Sequence, residues 1–235
     1  MACFKIPSGE ITNEPLLAHV ASKGLPLIVS TGMATLGEIE RSLEIIEAAG
    51  NQGVVLLHCV SSYPAEPDGI NLRTIRTLRR AFGVPVGYSD HTVGIEIAVA
   101  AVALGACIIE KHFTLDRELE GPDHQASLNP EDLRRLCDGI RVVDTALGDG
   151  RKRQTVDERR SALVARRSLV ASVFIASGTV VEEDMLEFKR PGTGLSWPLR
   201  THVIGRRAVC DIEPGSVLMV DKAMRLAGEF GIQPV

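Results

Sequence analysis

Residues 84–92 read V-P-V-G-Y-S-D-H-T and residues 107–114 read C-I-I-E-K-H-F-T, with an Ala-rich stretch from Gly94 to Gly105 between them. Each quoted run opens apolar and ends at a histidine, the pattern of a buried strand running out into a loop. The intervening I-E-I-A-V-A-A-V-A-L favours a helix. Strand, helix, strand is a βαβ unit, and it makes the two strands parallel and adjacent. Neighbouring strands lie about 4.8 Å apart. His91 and His112, 21 residues apart in sequence, would then meet at the carboxyl ends of the strands, within reach of one small ion.

Working outward from this unit, the same alternation covers the first 147 residues. Strands are expected at Cys3–Ile6, Pro26–Ser30, Val54–Val60, Val84–Tyr88 and Cys107–Ile109. Helices are expected from Asn13, an N-cap with Pro15 in the first turn, to about Lys23, and then over Leu36–Ala49, Leu72–Phe82 and Asn129–Leu147. Five parallel-type strands, each followed by a helix, give an α/β protein. Residues suited to chemistry cluster just after the strands: Lys5, Ser8 and Glu10; Ser30; Ser61 and Tyr63; Ser89 and His91; His112. A barrel opens such positions onto one face. Neither a G-x-G-x-x-G nor a P-loop is present to suggest a nucleotide-binding doubly wound sheet. The expectation is a partial (β/α) barrel, since a complete one has eight strands.

Composition narrows the function class. The chain has 235 residues, 45% of them apolar, and a net charge of −4, which argues against nucleic-acid binding. Its uncharged, Ala-rich stretch Ile97–Ile109 is too short to cross a bilayer. Five scattered cysteines without a C-x-x-C read as reduced, mostly packed thiols of a cytoplasmic protein. Cys59 and Cys107, inside apolar strands, read as core residues and not as nucleophiles.

Gly148–Arg167 is a charged connector and the expected domain boundary. Beyond it, I-x-x-G-x-V-x-x-x-D occurs twice: Ile175, Gly178, Val180 and Asp184 recur 37 residues later as Ile212, Gly215, Val217 and Asp221. That repeat predicts a small β-rich module, 168–235, with pseudo-twofold symmetry. Between the copies, K-R-P-G-T-G at 189–194 is a turn presenting Lys189 and Arg190 to an anion.

A lone histidine at a strand end is ordinarily hydrogen-bonded or exposed. Two of them at βα spacing, each near an acid (Asp90, Glu110), make a ligand pair as good a reading as two ordinary strand-end histidines. His58, mid-strand, reads as a satisfied core residue. His124 is left between loop structure and substrate contact, and Trp197 between packing the small domain and anchoring an interface. Arg151–Arg153 and Arg166–Arg167 read as a solvated linker.

At this point the chain resembles the sialic acid synthase family along essentially its whole length. The resemblance rests on seven motifs in order: F-K-I-P-S-G-E at 4–10, S-T-G-M at 30–33, H-C-V-S-S-Y-P at 58–64, G-Y-S-D-H-T at 87–92, E-K-H-F-T-L-D at 110–116, G-P-D-H at 121–124 and K-R-P-G-T-G at 189–194. It implies a TIM barrel, of which residues 1–147 would be about strands 4–8, followed by an antifreeze-like (SAF) domain. It also implies condensation of phosphoenolpyruvate with an N-acetylated hexosamine to a nonulosonic acid, with Mn²⁺ or Mg²⁺.

By the same resemblance, His91 and His112 would be the metal ligands. Lys5, Ser8, Ser30 and Ser89 would surround phosphoenolpyruvate, and Glu10, Ser61, Tyr63 and Asp123 the sugar. Glu10 would move a proton or hold a sugar hydroxyl. Arg190 would enter the partner's barrel in a homodimer, with no nucleic acid or membrane partner. Family members are longer at the N-terminus by about three βα units. Two readings follow: a portion of an active synthase, or a truncated member that acts by binding. A pseudaminic acid synthase is a further alternative, although E-G-P-D-H-Q-A-S-L at 120–128 looks closer to the sialic and legionaminic branch.

Overall fold

The computed structural model describes residues 2–121 and 123–219. The chain divides between Gly150 and Arg151 into two compact units. In the first, strands β1 (Phe4–Ile6), β2 (Leu27–Ser30), β3 (Val54–Cys59), β4 (Val86–Asp90) and β5 (Ile109–Lys111) form one parallel sheet in sequential order. Helices α1 (Glu14–Ala21), α2 (Leu36–Ala48), α3 (Thr74–Phe82) and α4 (Glu96–Ala103) are the crossovers, and α5 (Pro130–Leu147) follows β5. This is part of a (β/α) barrel.

Local chemistry sets the ends of the helices. The Asn13 carboxamide oxygen accepts from the Leu16 amide at the start of α1. Thr35 and Glu38 exchange hydrogen bonds in a capping box at the start of α2. Gly83 closes α3 in the left-handed conformation, φ 66°. Asn129 caps α5 through the Asp132 amide.

Side chains of a strand alternate between faces, and here the two faces differ in chemistry. Ile6, Leu27, Val29, Leu56, Val86 and Tyr88 pack against Leu17, Ile39, Ile46, Ile75, Leu78 and Ala101 of the helices. Burying one such side chain contributes roughly 1.5–3 kcal/mol. On the opposite, concave face, Lys5, Ser30, Cys59, Ser89 and Glu110 form a polar layer at the carboxyl end of the sheet. Gly87 lies below it, where a Cβ would stand 2.5 Å from the Ile108 carbonyl oxygen and 2.6 Å from Leu57 Cδ2. The sheet curves enough for Lys5 on β1 to reach Glu110 on β5, Nζ to Oε2 3.5 Å.

Strands β4 and β5 run two residues further than their apolar stretches suggest. The reason is that Asp90 and Lys111, paired in register, point to the helix side and neutralise each other there. Their side chains are 0% and 3% exposed with Nζ and Oδ2 at 2.7 Å. Two cysteine expectations need correction. Cys107 is exposed and precedes β5, and Cys59 alone of the five is buried.

In the second unit, β6 (Ser168–Ala171) pairs antiparallel with β7 (Leu186–Lys189) around a core of Leu169, Ile175, Val181, Ile212 and Leu218. The repeat acts as a symmetric pair. Ile175 and Ile212 form an antiparallel bridge with reciprocal bonds of 2.9 and 2.8 Å, and Gly178 and Gly215 share positive φ values of 84° and 82°. Asp221, the last repeat position, lies outside the described residues. The segment read as a charged connector holds a helix, α6 (Val156–Ala165), started by a Thr155–Glu158 capping box. The Leu163 carbonyl of α6 accepts from the Gly192 amide of the K-R-P-G-T-G turn. Trp197 is exposed, near Phe188 and beneath the Arg200 guanidinium. Among the described residues, no helix is long and apolar enough to cross a membrane.

Gly87→Ala is expected to force β4 and β5 apart or displace Leu57, lowering stability by roughly 1–3 kcal/mol. Chemical denaturation measures this, and an unchanged midpoint would refute the close approach.

Candidate active site

At the carboxyl end of the sheet a cleft of about 460 Å³ is lined by Lys5, Ser8, Ser30, Met33, Cys59, Ser61, Tyr63, Ser89, His91, Glu110 and His112, among others. Eight residues singled out in the sequence are thus on its wall. Glu10 lies in the short 3₁₀ turn after β1, and its carboxylate accepts from the Asn13 side chain at 2.7 Å. Asp123 stands beside His112, Oδ2 to Nδ1 3.8 Å. Arg190 belongs to the second unit, where its Nε donates to the Ala165 carbonyl; its neighbour Lys189 is ion-paired with Glu187.

The βα spacing brings the two histidines together, with ring centroids 5.2 Å apart and the Tyr63 ring 4.2 Å from His91 and 5.6 Å from His112. His91 Nδ1 is 3.0 Å from the Val60 carbonyl. A carbonyl only accepts, so Nδ1 carries the hydrogen and Nε2 is left with its lone pair. On His112, the Asp123 carboxylate likewise stands on the Nδ1 side. Among the described residues no group of three or more His, Cys, Asp or Glu side chains is arranged to hold a metal. The pair offers two nitrogens, with further positions left to oxygen donors.

The acids beside the histidines do different work from that suggested by their sequence positions. Asp90 faces the helices. Glu110 faces the cleft, where its Oε1 accepts from Ser89 Oγ at 2.7 Å and its Oε2 meets Lys5. The partners of the histidines come instead from the Val60 backbone and from Asp123.

The serines are close-set around Gly32. A Cβ there would stand 2.2 Å from Ser61 Oγ and 2.8 Å from Ser8 Oγ, and the Gly32 amide donates to Ser8 at 3.0 Å. Cys59 Sγ completes the group, 3.5 Å from Ser8 Oγ and 3.9 Å from His91 Nδ1. Burial pushes the Cys59 thiol up, but hydrogen bonds with His91 and Ser8 outweigh it and hold the thiol below its usual range. For His91, burial disfavours the charged ring, and the Cys59, Val60 and Asp90 contacts raise it above an ordinary histidine. Burial raises the Tyr63 phenol. Ser30 is 2% exposed, and its Oγ has no hydrogen-bond partner among the described residues. The Ser30 hydroxyl is thus a buried group on the cleft wall whose hydrogen-bonding capacity is unused within the described chain.

Glu110, Cys59 and Gly32 were not among the site residues read from the sequence. The period of two marks Glu110, on the same face as His112. Cys59 pairs in register with Ser89, a relation between strands that no single segment displays. His58 is the core histidine expected, its Nε2 donating to the Ile70 carbonyl at 2.7 Å and its basicity lowered by burial. His124 is held within its loop by Thr114 Oγ1 at 2.8 Å.

The sequence pattern of the NeuB family matches residues 1–152, and that of the SAF domain residues 166–223. The N,N'-diacetyllegionaminic acid synthase of Campylobacter jejuni is 50% identical over 195 residues, 82% of this chain and 58% of that protein. A pseudaminic acid synthase of the same species is 38% identical over 218 residues, 92% of this chain and 62% of that one. Among solved structures, the N-acetylneuraminic acid (sialic acid) synthetase of Leptospira borgpetersenii, in complex with citrate, has a TM-score of 0.64 at 41% identity. That match covers 68% of this chain and 56% of that one. The chain thus spans about three fifths of the length of these curated relatives.

Ser30→Ala removes an orphan hydroxyl and is expected to leave ligand-free stability unchanged or raise it by about 1 kcal/mol. Ser89→Ala breaks the bond to Glu110 and is expected to lower it by about 1 kcal/mol. Thermal unfolding of the two variants, compared without ligand, tests this opposition of sign.

Proposed function

We propose a function that starts from the family: the chain belongs to the NeuB family, and it carries the chemistry of a nonulosonic acid synthase. The reaction joins phosphoenolpyruvate to the aldehyde of an open-chain N-acetylated hexosamine and releases phosphate. The observation that carries this reading is the orphan Ser30 hydroxyl on a wall that also holds Lys5, Ser8, Ser61 and Ser89, beside two paired imidazoles. Phosphoenolpyruvate is a small polyanion, and clustered hydroxyls with an ammonium group are the donors it requires.

The residues divide the work. Lys5 balances the charge of the bound enol phosphate, and Ser8, Ser30 and Ser89 donate to its oxygens. The sugar lies toward Tyr63, Asp123 and Glu10, where a carboxylate holds a hydroxyl or moves its proton. The enol carbon forms the new bond to the aldehyde carbon. Water adds to the cationic carbon left behind, and the tetrahedral species loses phosphate, so the C–O bond to phosphate breaks last. His91 and His112, each with Nε2 available, would hold a divalent cation, Mn²⁺ or Mg²⁺. When bound, the cation supplies Lewis acidity toward the aldehyde oxygen.

The 50% identity to a diacetyllegionaminic acid synthase, against 38% to a pseudaminic acid synthase, favours an acceptor sugar of the legionaminic kind. The reading also includes a homodimer in which Arg190 of one protomer serves the cleft of the other, in the cytoplasm, where no membrane or nucleic acid is engaged.

Phosphate release by the purified 235-residue chain, given phosphoenolpyruvate, an N-acetylated hexosamine or its 2,4-diacetamido counterpart, and Mn²⁺, tests the reading. Release is expected to need both substrates and to stop with EDTA. Folded chain that binds these ligands without turnover would support a binding member of the family instead. Where turnover is present, His91→Ala or His112→Ala is expected to abolish it with the circular dichroism unchanged. Arg190→Ala is expected to raise the KM for phosphoenolpyruvate more than that for the sugar, and equal effects would remove its phosphate role.

A further inference from the structure

A densely hydrogen-bonded polar group lies behind the cleft, on the opposite side of the sheet. Asp90 and Lys111 are the last register pair of β4 and β5, and each immediately precedes one of the two histidines. Lys111 Nζ donates to Asp90 Oδ2 at 2.7 Å and to the Thr92 carbonyl at 2.6 Å. Asp90 Oδ1 accepts from the Thr92 amide at 2.9 Å, the Thr92 hydroxyl at 2.8 Å and the Tyr88 hydroxyl at 3.1 Å. Asp90 and Thr92 are each 1% exposed, and His91, between them, 8%.

This geometry does more than neutralise a buried acid. The Asp90–Thr92 bonds close a turn around His91 and fix the direction in which its ring leaves the backbone. The ammonium bridges that turn to β5 one residue before His112. The strands share only three register pairs, and this bridge ties the two histidine-bearing ends together from behind the sheet, opposite the Ser89–Glu110 hydrogen bond on the cleft side. Burying an ion pair is costly unless its other hydrogen bonds are met, and here they are met by groups on both sides of His91.

We propose that Asp90 and Lys111 are positioning residues that set the separation and orientation of the His91 and His112 imidazoles from behind the sheet. The metal-binding part of this inference rests on the reading of the two histidines as ligands; the positioning part does not. Supporting groups behind metal-binding histidines typically govern about 10- to 100-fold in affinity.

Either single substitution strands a buried charge and endangers the fold. The test therefore uses the paired variant Asp90→Asn with Lys111→Met. Asparagine keeps the oxygen that accepts from Thr92, and methionine keeps the bulk of lysine without its charge. Two readouts are taken on the 235-residue chain, wild-type and variant: Mn²⁺ affinity by calorimetry, and the long-range ¹H–¹⁵N imidazole spectrum without metal. The expected result is a fold retained by circular dichroism, Mn²⁺ affinity reduced about 10- to 100-fold, and His91 and His112 signals displaced while those of His19 and His202 stay. Unchanged affinity and unmoved His91 and His112 signals in the folded variant would overturn the proposal. Wild-type chain that binds no Mn²⁺ would defeat the ligand reading, and the imidazole signals would then decide the positioning role by themselves. If the variant does not fold, Lys111→Arg, which keeps the charge, takes its place under the same two readouts.

Discussion

Everything in the first unit depends on the pleat of a curved parallel sheet. Successive side chains go to opposite faces, so a strand that buries one face against helices is free to carry chemistry on the other. Leu27, Leu56, Val86 and Tyr88 supply the buried face. The concave face carries a deep layer with Gly87 and Leu57, and above it the polar residues of the cleft. Curvature converts that layer from a row into an enclosure, because side chains from β1 and β5, four strands apart, come within ion-pair distance.

The same alternation explains how charged residues are divided between structure and site. In E-K-H, Glu110 and His112 face the cleft while Lys111 turns to the helices; in S-D-H, Ser89 faces the cleft while Asp90 turns away. The inward acid meets a cation and a hydroxyl. The outward acid is matched to an ammonium in a dry setting, and removing one partner of such a pair costs roughly 3–5 kcal/mol. The cleft-facing Ser30 has the opposite economy, its hydroxyl left without a partner at a small cost to stability. Among the described residues, the buried side-chain polar atom left without a partner lies on the cleft wall.

The second unit follows a different rule, symmetry. Its two repeat copies meet directly through Ile175 and Ile212, and the two glycines with equal backbone conformation turn the chain at matching places. Arg190 leaves β7 in the turn between the copies, with its guanidinium bonded to the carboxyl-terminal end of α6. Helix α6 itself was hidden in a run of charge: its residues are all exposed or half-buried, so it has no apolar face to announce it, and only its capping box is visible in sequence.

Apolar periodicity, caps and order determined, from the sequence alone, the five strands, the crossover helices, the parallel βαβ units and the meeting of His91 with His112. These depend on local spacing and on the connection rule for parallel strands, both written along the chain. Tertiary structure alone decided that Glu110 belongs to the cleft, that Asp90 does not serve His91 as a hydrogen-bond partner, and that Cys59 stands between Ser8 and His91. It also decided that β4 and β5 extend through Asp90 and Lys111. Each of these depends on what lies across the sheet, and at Asp90 and Lys111 each strand supplies the other's counter-charge in register. A one-dimensional pattern carries each residue's own polarity, and it does not carry the identity of the neighbour that neutralises it.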